Sequence, residues 1–216
     1  MGLSPNALSS VKNENFSCKN FKARPLILVN NMPEHILSDR SLIDVSAVLK
    51  KIGVAVGDKV ADLGVGGTGT WTFATAEIIG ESGTVYAADI LKHVLQAIES
   101  KAHLTGFYNI QTVWTNLEIY GAAKIPEKLI DFAYVNNVLH QSKQPENILK
   151  EAGRLLKKGG KLLVTDWSRA TSPFGPSKDT RIDPDVVKKH AEALGFKLIQ
   201  HFSPGKYHFA LVFQKE

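Results

Sequence analysis

The sequence predicts an α/β fold: a three-layer sandwich in which helices cover a mostly parallel, seven-stranded sheet that carries one antiparallel strand at its C-terminal end. Three observations predict it. From about residue 39 onward, short apolar runs alternate with stretches whose apolar residues recur at helical spacing. The runs are apolar throughout, as strands buried on both faces are, and such strands belong to parallel sheets covered by helices. The last two runs are separated only by Ser203-Pro204-Gly205-Lys206, far less chain than a parallel crossover requires. They must be antiparallel neighbours, and the final strand must enter the sheet in reverse.

The elements follow in order. Residues 1–25 are rich in Asn and Ser and lack periodicity, which predicts a flexible arm ahead of one domain over residues 26–216. The apolar run 25–29 reads equally as an edge strand or as a segment covering a pocket. Ile43, Val45, Val48, Leu49 and Ile52 share one helical face and stop before Gly53, and Gly57-Asp58 turns the chain into a strand over 59–63. A helix over 71–79, a strand over 85–88, a helix over 92–103 and a strand over 110–114 come next. After a longer loop follow a strand over 130–135, a helix over 145–156, a turn at Lys158-Gly159-Gly160 and a strand over 161–165. A helix over 184–194 stops at Gly195, and strands over 196–202 and 207–213 close the chain.

Composition excludes several classes. At 216 residues and 44% hydrophobic, the chain supports one substantial core. No apolar run approaches the roughly 20 residues that span a bilayer, and the polar start lacks the basic-then-apolar order of a secretory signal. Asn6 stands where a myristoylation signal wants Ser or Thr. A cytoplasmic location without membrane insertion is expected. Cys18 is the single cysteine, so intramolecular disulfides are excluded and thiolate metal sites are not expected. The formal charge is +5, but Lys12, Lys19, Lys22 and Arg24 stand against Glu14 alone in the arm, which holds most of the excess. A solvated extension is the expected reading; contact with RNA is the alternative.

Residues 60–69 read V-A-D-L-G-V-G-G-T-G: an apolar strand carrying Asp62, then a turn through Gly64, Val65, Gly66, Thr68 and Gly69 into a helix. Asp89 closes the next strand. Glycines let a cofactor lie against bare backbone, and an acid ending the second strand can accept both hydroxyls of a ribose. The spacing of Gly64, Gly66 and Gly69 also fits a dinucleotide site. Asp62 argues against that: a carboxylate at the mouth of the turn repels a pyrophosphate, whereas the ammonium and sulfonium of S-adenosylmethionine are drawn to it.

Several blocks in this order resemble the class I S-adenosylmethionine-dependent methyltransferases. V-A-D-L-G-V-G (60–66) looks like their glycine motif and V-Y-A-A-D-I (85–90) like their ribose block. D-F-A-Y-V-N-N-V-L-H (131–140), and the stretch from Leu149 to Trp167, are similar to the fourth strand, helix and fifth strand of the small-molecule subgroup that includes quinone-biosynthesis C-methylating enzymes. The resemblance implies a Rossmann-like sheet with one reversed strand. It implies Asp62, Gly64 and Gly66 around the methionine end of the cofactor, Asp89 at the ribose and Ile90 on the adenine. Asn116 and Leu117 match the block that meets the adenine amino group, with an amide in place of the usual acid, and Asn136 would lie beneath the methionine moiety. Val65, Thr68 and Gly69 complete the turn, which holds one residue more than usual and leaves open whether Thr68 or Gly69 approaches the cofactor.

Methyl transfer is an in-line displacement from a sulfonium, with S-adenosylhomocysteine as product, and can proceed by alignment alone. Where a general base helps, His140 after the fourth strand is the leading candidate, the alternative being a helix-start histidine bonded to backbone. Asp166, ending the fifth strand, reads as an acceptor or cofactor contact or as a turn-capping carboxylate. His208, at the start of the final strand, is expected to lie outside the catalysis, and Trp71 and Trp167 are expected to pack. The loop 169–181 reads as a pocket lid whose Lys178 and Arg181 are expected to be solvated charges, contact with an anionic acceptor being the alternative. Only Asp166 among the carboxylates stands where a catechol-type magnesium site would need several, so no metal is expected. Cysteine-dependent methylation is disfavoured, because Cys18 is isolated in the arm. The expected function is methyl transfer to a small organic acceptor. An RNA methyltransferase, an NAD(P)-dependent oxidoreductase and a cofactor-binding protein without transferase activity are the alternatives, and the oligomeric state is open.

Overall fold

The computed structural model describes residues 42–173 and 175–216; the arm, the run 25–29 and Cys18 lie outside the described residues. Helix α1 (Val45–Ile52) opens the described chain. Asp44 caps it, its Oδ1 accepting the Ala47 N–H at 3.0 Å. At the other end Gly53, left-handed at φ 90°, donates to Lys50 O while Val54 donates to Leu49 O, so the last turn closes on its own carbonyls. Val45, Val48, Leu49 and Ile52 are the buried face. Asp44→Ala should cost about 1 kcal/mol, the usual worth of such a cap, and lower the melting temperature by roughly 2–4 °C in a chain of this size; an unchanged melt would show that the cap adds nothing.

Then come β1 (Lys59–Leu63), α2 (Thr70–Ile79), β2 (Thr84–Asp89), α3 (Lys92–Thr105), β3 (Ile110–Trp114) and β4 (Ile130–Asn136). A 3-10 turn Leu139–Gln141 leads to α4 (Pro145–Leu155), β5 (Leu156–Trp167), α5 (Pro184–Ala193), β6 (Phe196–Gly205) and β7 (His208–Lys215). The sheet order is β3-β2-β1-β4-β5-β7-β6. All pairs are parallel except the two made by β7, which is antiparallel to β5 and to β6. Strands β1 to β3 step outward one way and β4 onward the other, which opens a switch point at the carboxyl ends of β1 and β4. Because β7 is reversed, its first residue, not its last, reaches that same edge.

Each strand alternates between two cores. Val60 joins α1 and α2 residues in one cluster, while Ala61 and Leu63 join α4 and α5 residues in the other. Between α2 and α3, Val65 packs with Ala87, Val94 and Ile98.

Three boundaries differ from the sequence reading. Strand β5 begins at Leu156, which pairs with Ile130, and the predicted turn at Lys158-Gly159-Gly160 is a bulge inside the strand before Lys161 meets Phe132. Strand β6 runs through Pro204 to Gly205, which an edge strand tolerates because its outer N–H needs no partner. The hairpin therefore turns at Lys206-Tyr207, and β7 starts at His208, opposite Gly205 on one side and Trp167 on the other.

Candidate active site

A crevice of about 630 Å³ lies across the carboxyl ends of the parallel strands and the start of β7. Its floor begins at the turn after β1. Gly64 and Val65 donate their N–H groups to Ala88 O at 2.8 and 3.3 Å, which folds the turn back onto β2. A Cβ at Gly64 would collide with the Val138 side chain, whereas one at Gly66 or Gly67 would meet nothing within 4 Å. The backbone is thus pressed against protein at one glycine and bare toward the crevice at the next two.

Asp89, 8% exposed at the end of β2, faces this turn. Its Oδ2 accepts the Gly66 N–H at 3.3 Å and its Oδ1 the Leu91 N–H at 2.9 Å. Each oxygen retains a free lone pair, so the carboxylate is oriented and still able to accept two hydroxyls. Val65 and Thr68 also line the crevice; Gly69 does not. Gly69 precedes α2 at φ 61°, and a Cβ there would collide with Ile98 and come within 3.1 Å of Phe73, so its work is close helix packing. Of the two residues left open by the extra turn position, Thr68 is the one at the crevice.

Asp62 is not at the mouth of the turn. Strand alternation sends it with Val60 toward α2, beneath the floor, where it is 1% exposed and accepts the Thr72 Oγ1 hydrogen bond at 2.6 Å. Burial pushes its carboxyl up to about 6, with a smaller push from Asp89, against the lowering effect of the Thr72 bond.

At the β2–β3 end, Ile90 is 55% exposed and its carbonyl accepts the Trp114 indole N–H at 2.9 Å. Asn116 and Leu117 line the crevice. Asn116 Oδ1 already accepts the Glu118 N–H at 2.9 Å, so one lone pair of the expected adenine contact is engaged. The sequence reading missed two neighbours. Thr115 lines the crevice with a buried Oγ1 that has no partner among the described residues. Glu118 accepts Ser142 Oγ at 2.5 Å and the Lys143 N–H at 3.1 Å, ties the loop after β3 to the loop after β4, and is held below the usual carboxylate range chiefly by the Ser142 bond. Neither Thr nor Glu after a strand carries a distinctive spacing that would single it out.

Asn136 ends β4. Its Oδ1 accepts Thr165 Oγ1 at 2.8 Å, and its buried Nδ2 has no partner among the described residues. Asn137, another residue not singled out beforehand, sits at φ 55°, a left-handed backbone that non-glycine residues adopt at a cost and that clusters at functional sites.

The two catalytic candidates pair with each other behind the crevice wall. His140 Nδ1 is 2.7 Å from Asp166 Oδ1, the His140 N–H reaches Asp166 Oδ2 at 3.2 Å, and the Trp167 N–H reaches Asp166 Oδ1 at 2.8 Å. Neither residue lines the crevice, and Asp166 is wholly buried. Asp166 therefore has the capping geometry and no path to an acceptor in this arrangement.

Trp71 and Trp167 pack as expected, Trp71 on Tyr134 at 5.9 Å, and both also line the crevice. One expectation is corrected. Arg181 is not a solvated charge: it is 6% exposed and donates to the carbonyls of Ser168, Ala170 and Pro176, which pins the loop beside β5, while Lys178 is exposed. The physical reason is that a buried guanidinium satisfies itself on loop carbonyls. His208, expected to lie outside the catalysis, lines the crevice. Among the described residues no group of three His, Cys, Asp or Glu side chains is placed to hold a metal ion, and no helix is long and apolar enough to cross a membrane.

Residues 39–177 match the model of the ubiE/COQ5 methyltransferase family. A demethylmenaquinone methyltransferase of Anoxybacillus flavithermus is 31% identical over 123 residues, 57% of this chain and 50% of that protein. A ubiquinone/menaquinone biosynthesis C-methyltransferase of Cronobacter sakazakii is 35% identical over 136 residues, 62% of this chain and 50% of that protein. The chain spans about half the length of these curated relatives. The crystal structure of a SAM-dependent methyltransferase from Aquifex aeolicus shares the fold with a TM-score of 0.76 over 83% of this chain and 93% of its own, at 24% identity. With the family model covering well over half of its sequence, the chain belongs to the ubiE/COQ5 methyltransferase family.

Proposed function

We propose that the protein binds S-adenosylmethionine in the crevice and transfers its methyl group to a carbon of a small, hydroxylated ring acceptor of the quinone class. The observation that carries this reading is the bare backbone at Gly66 and Gly67 facing an oriented Asp89, with a second carboxylate, Asp62, buried beneath. Two acids attract a cationic nucleoside and repel a pyrophosphate. Asp89 would hold the ribose hydroxyls, Ile90, Asn116 and Leu117 the adenine, and Asn136 the methionine end, whose carboxylate its free Nδ2 suits. Bound there, the donor supplies an electrophilic methyl group. The chain's own part is to align it with the acceptor and keep water away from both. The quinone class comes from the relatives, whose names specify demethylmenaquinone and C-methylation. An electrophilic methyl requires an electron-rich carbon, so the hydroquinone form is the one to supply.

Calorimetry with S-adenosylmethionine, S-adenosylhomocysteine and NAD tests the cofactor. Heat with the first two and none with NAD is expected; the reverse would make the chain a dinucleotide-binding protein. Asp89→Ala removes hydrogen bonds to a charged group, worth about 1.5–3 kcal/mol, so donor affinity should fall roughly 10- to 150-fold. Unchanged affinity would show that the ribose lies elsewhere. Assay of methyl transfer to reduced demethylmenaquinone then separates an enzyme from a binding protein.

A further inference from the structure

The sheet order divides the crevice. The glycine turn and Asp89 stand at β1 and β2, whereas Trp167 and His208 stand two and three strands from β1, at the end of β5 and the start of β7. If the donor occupies the first half, as proposed above, the acceptor has the second. There His208 is 2% exposed, and neither ring nitrogen has a hydrogen-bond partner among the described residues. Its ring lies on Trp167 at 4.2 Å between centroids, tilted by 40°, which fixes the imidazole plane without satisfying its polar edge. A buried polar side chain is normally paired, and this one borders a cavity.

We propose that His208 is a catalytic residue that contacts the acceptor directly: its imidazole accepts the hydrogen bond of an acceptor hydroxyl conjugated to the reacting carbon, and takes that proton as the methyl arrives. His140 is not placed to substitute, because it does not line the crevice. The charged and titratable groups felt by His208 are Asp166 on β5, His140 after β4 and Arg181 in the loop beside Trp167. Burial, assisted by Arg181 and His140 against Asp166, holds its imidazole down at about 4, so near neutral pH it is uncharged and free to accept a hydrogen bond.

So weak a base suffices. The ring carbon forms a bond to the methyl carbon as the methyl–sulfur bond breaks with its electron pair on sulfur, which leaves the neutral thioether. The positive charge passes to the acceptor as a protonated carbonyl, a far stronger acid than the starting hydroxyl, and its proton moves to His208. Loss of the ring C–H proton to solvent leaves the ring oxygen as an oxyanion, which takes its proton back from His208 and so restores the hydroxyl. The balance is one methyl transferred and one proton released.

The test uses the full chain, S-adenosylhomocysteine and 1,4-naphthohydroquinone under anaerobic conditions. On histidine-labelled protein saturated with S-adenosylhomocysteine, the His208 ring nitrogen resonances should stay those of a neutral imidazole at pH 6 and shift when millimolar naphthohydroquinone is added. His208→Leu should leave the S-adenosylhomocysteine affinity within about twofold and lower kcat/KM for methylation of the hydroquinone by at least about 100-fold, the low end of general acid–base effects. His208→Gln, which retains an acceptor atom, should recover part of that loss. No His208 shift on adding the hydroquinone, or kcat/KM unchanged in His208→Leu, overturns the proposal. Failure of the wild type to bind S-adenosylhomocysteine would instead overturn the methyltransferase reading on which it rests.

Discussion

Gly64→Ala is expected to destabilise the fold by about 3 kcal/mol and to abolish high-affinity donor binding. Two costs add. The residue sits at φ 95°, where a side chain on the backbone costs about 1–3 kcal/mol. The added Cβ would also overlap Val138, and overpacking of that kind costs about 1–3 kcal/mol more. In a chain of this size a loss of 3 kcal/mol lowers the melting temperature by roughly 10 °C. The two costs are separable. Val138→Ala removes the overlapping methyl groups, so in the Gly64→Ala/Val138→Ala double variant the steric part should return while the backbone part does not. Additive losses in the double variant would show that the collision is not the cause. The functional loss follows from the same geometry: Gly64 and Val65 donate to Ala88 O, and any shift that relieves the collision carries Gly66 away from Asp89.

The features legible in the sequence are those written in periodicity. Val45, Val48, Leu49 and Ile52 announce α1 because burial selects one helical face, and the Ser203 to Lys206 link announces a reversed strand because no crossover is that short. What is not legible depends on partners distant in sequence. Leu156 continues the helical pattern of α4, yet it joins β5 because Ile130 offers a parallel partner 26 residues upstream. Asp62 was readable as an acid beside a glycine turn but not as buried beneath it, since that depends on which face of β1 meets Thr72. Arg181 reads as a loop charge because backbone carbonyls, its actual partners, have no sequence signature. His208 is seen to reach the crevice only once β7 is known to lie beside β5 with its first residue opposite Trp167. The part of the crevice proposed to hold the cofactor is formed by one contiguous motif and one strand end, which a sequence displays together. The part proposed for the acceptor is assembled from β4, β5 and β7, which it does not.

Asp62→Asn should raise stability and weaken donor binding together. The buried carboxyl titrates at about 6 against an ordinary 3.8, so near pH 7 its charged form opposes folding by about 3 kcal/mol at 1.36 kcal/mol per unit. The sign is clear: between the two values the folded state holds a proton that the unfolded state lacks, so this group favours folding as pH falls through 6 and penalises it above. Asparagine keeps an oxygen for Thr72 Oγ1 and carries no charge, and should gain most of that penalty, about 2 kcal/mol near pH 7. His208 works in the opposite sense. Its imidazole is held down at about 4 against an ordinary 6.5, so acidification between those values favours the unfolded chain. The two largely offset each other in the wild type, and removing Asp62 should expose a steeper loss of stability from pH 6.5 to 4. A charge that opposes folding has its use in binding: a sulfonium and an ammonium above the floor stabilise the carboxylate and draw its proton off. Wild-type affinity for S-adenosylmethionine should therefore fall as pH drops below 6. In Asp62→Asn it should be at least about tenfold weaker at pH 7.5, equivalent to about 1.4 kcal/mol, and insensitive to pH over that range. Thermal melts and calorimetry across pH 5 to 8 read both effects, and a variant no more stable than the wild type with undiminished affinity would mean that Asp62 serves neither.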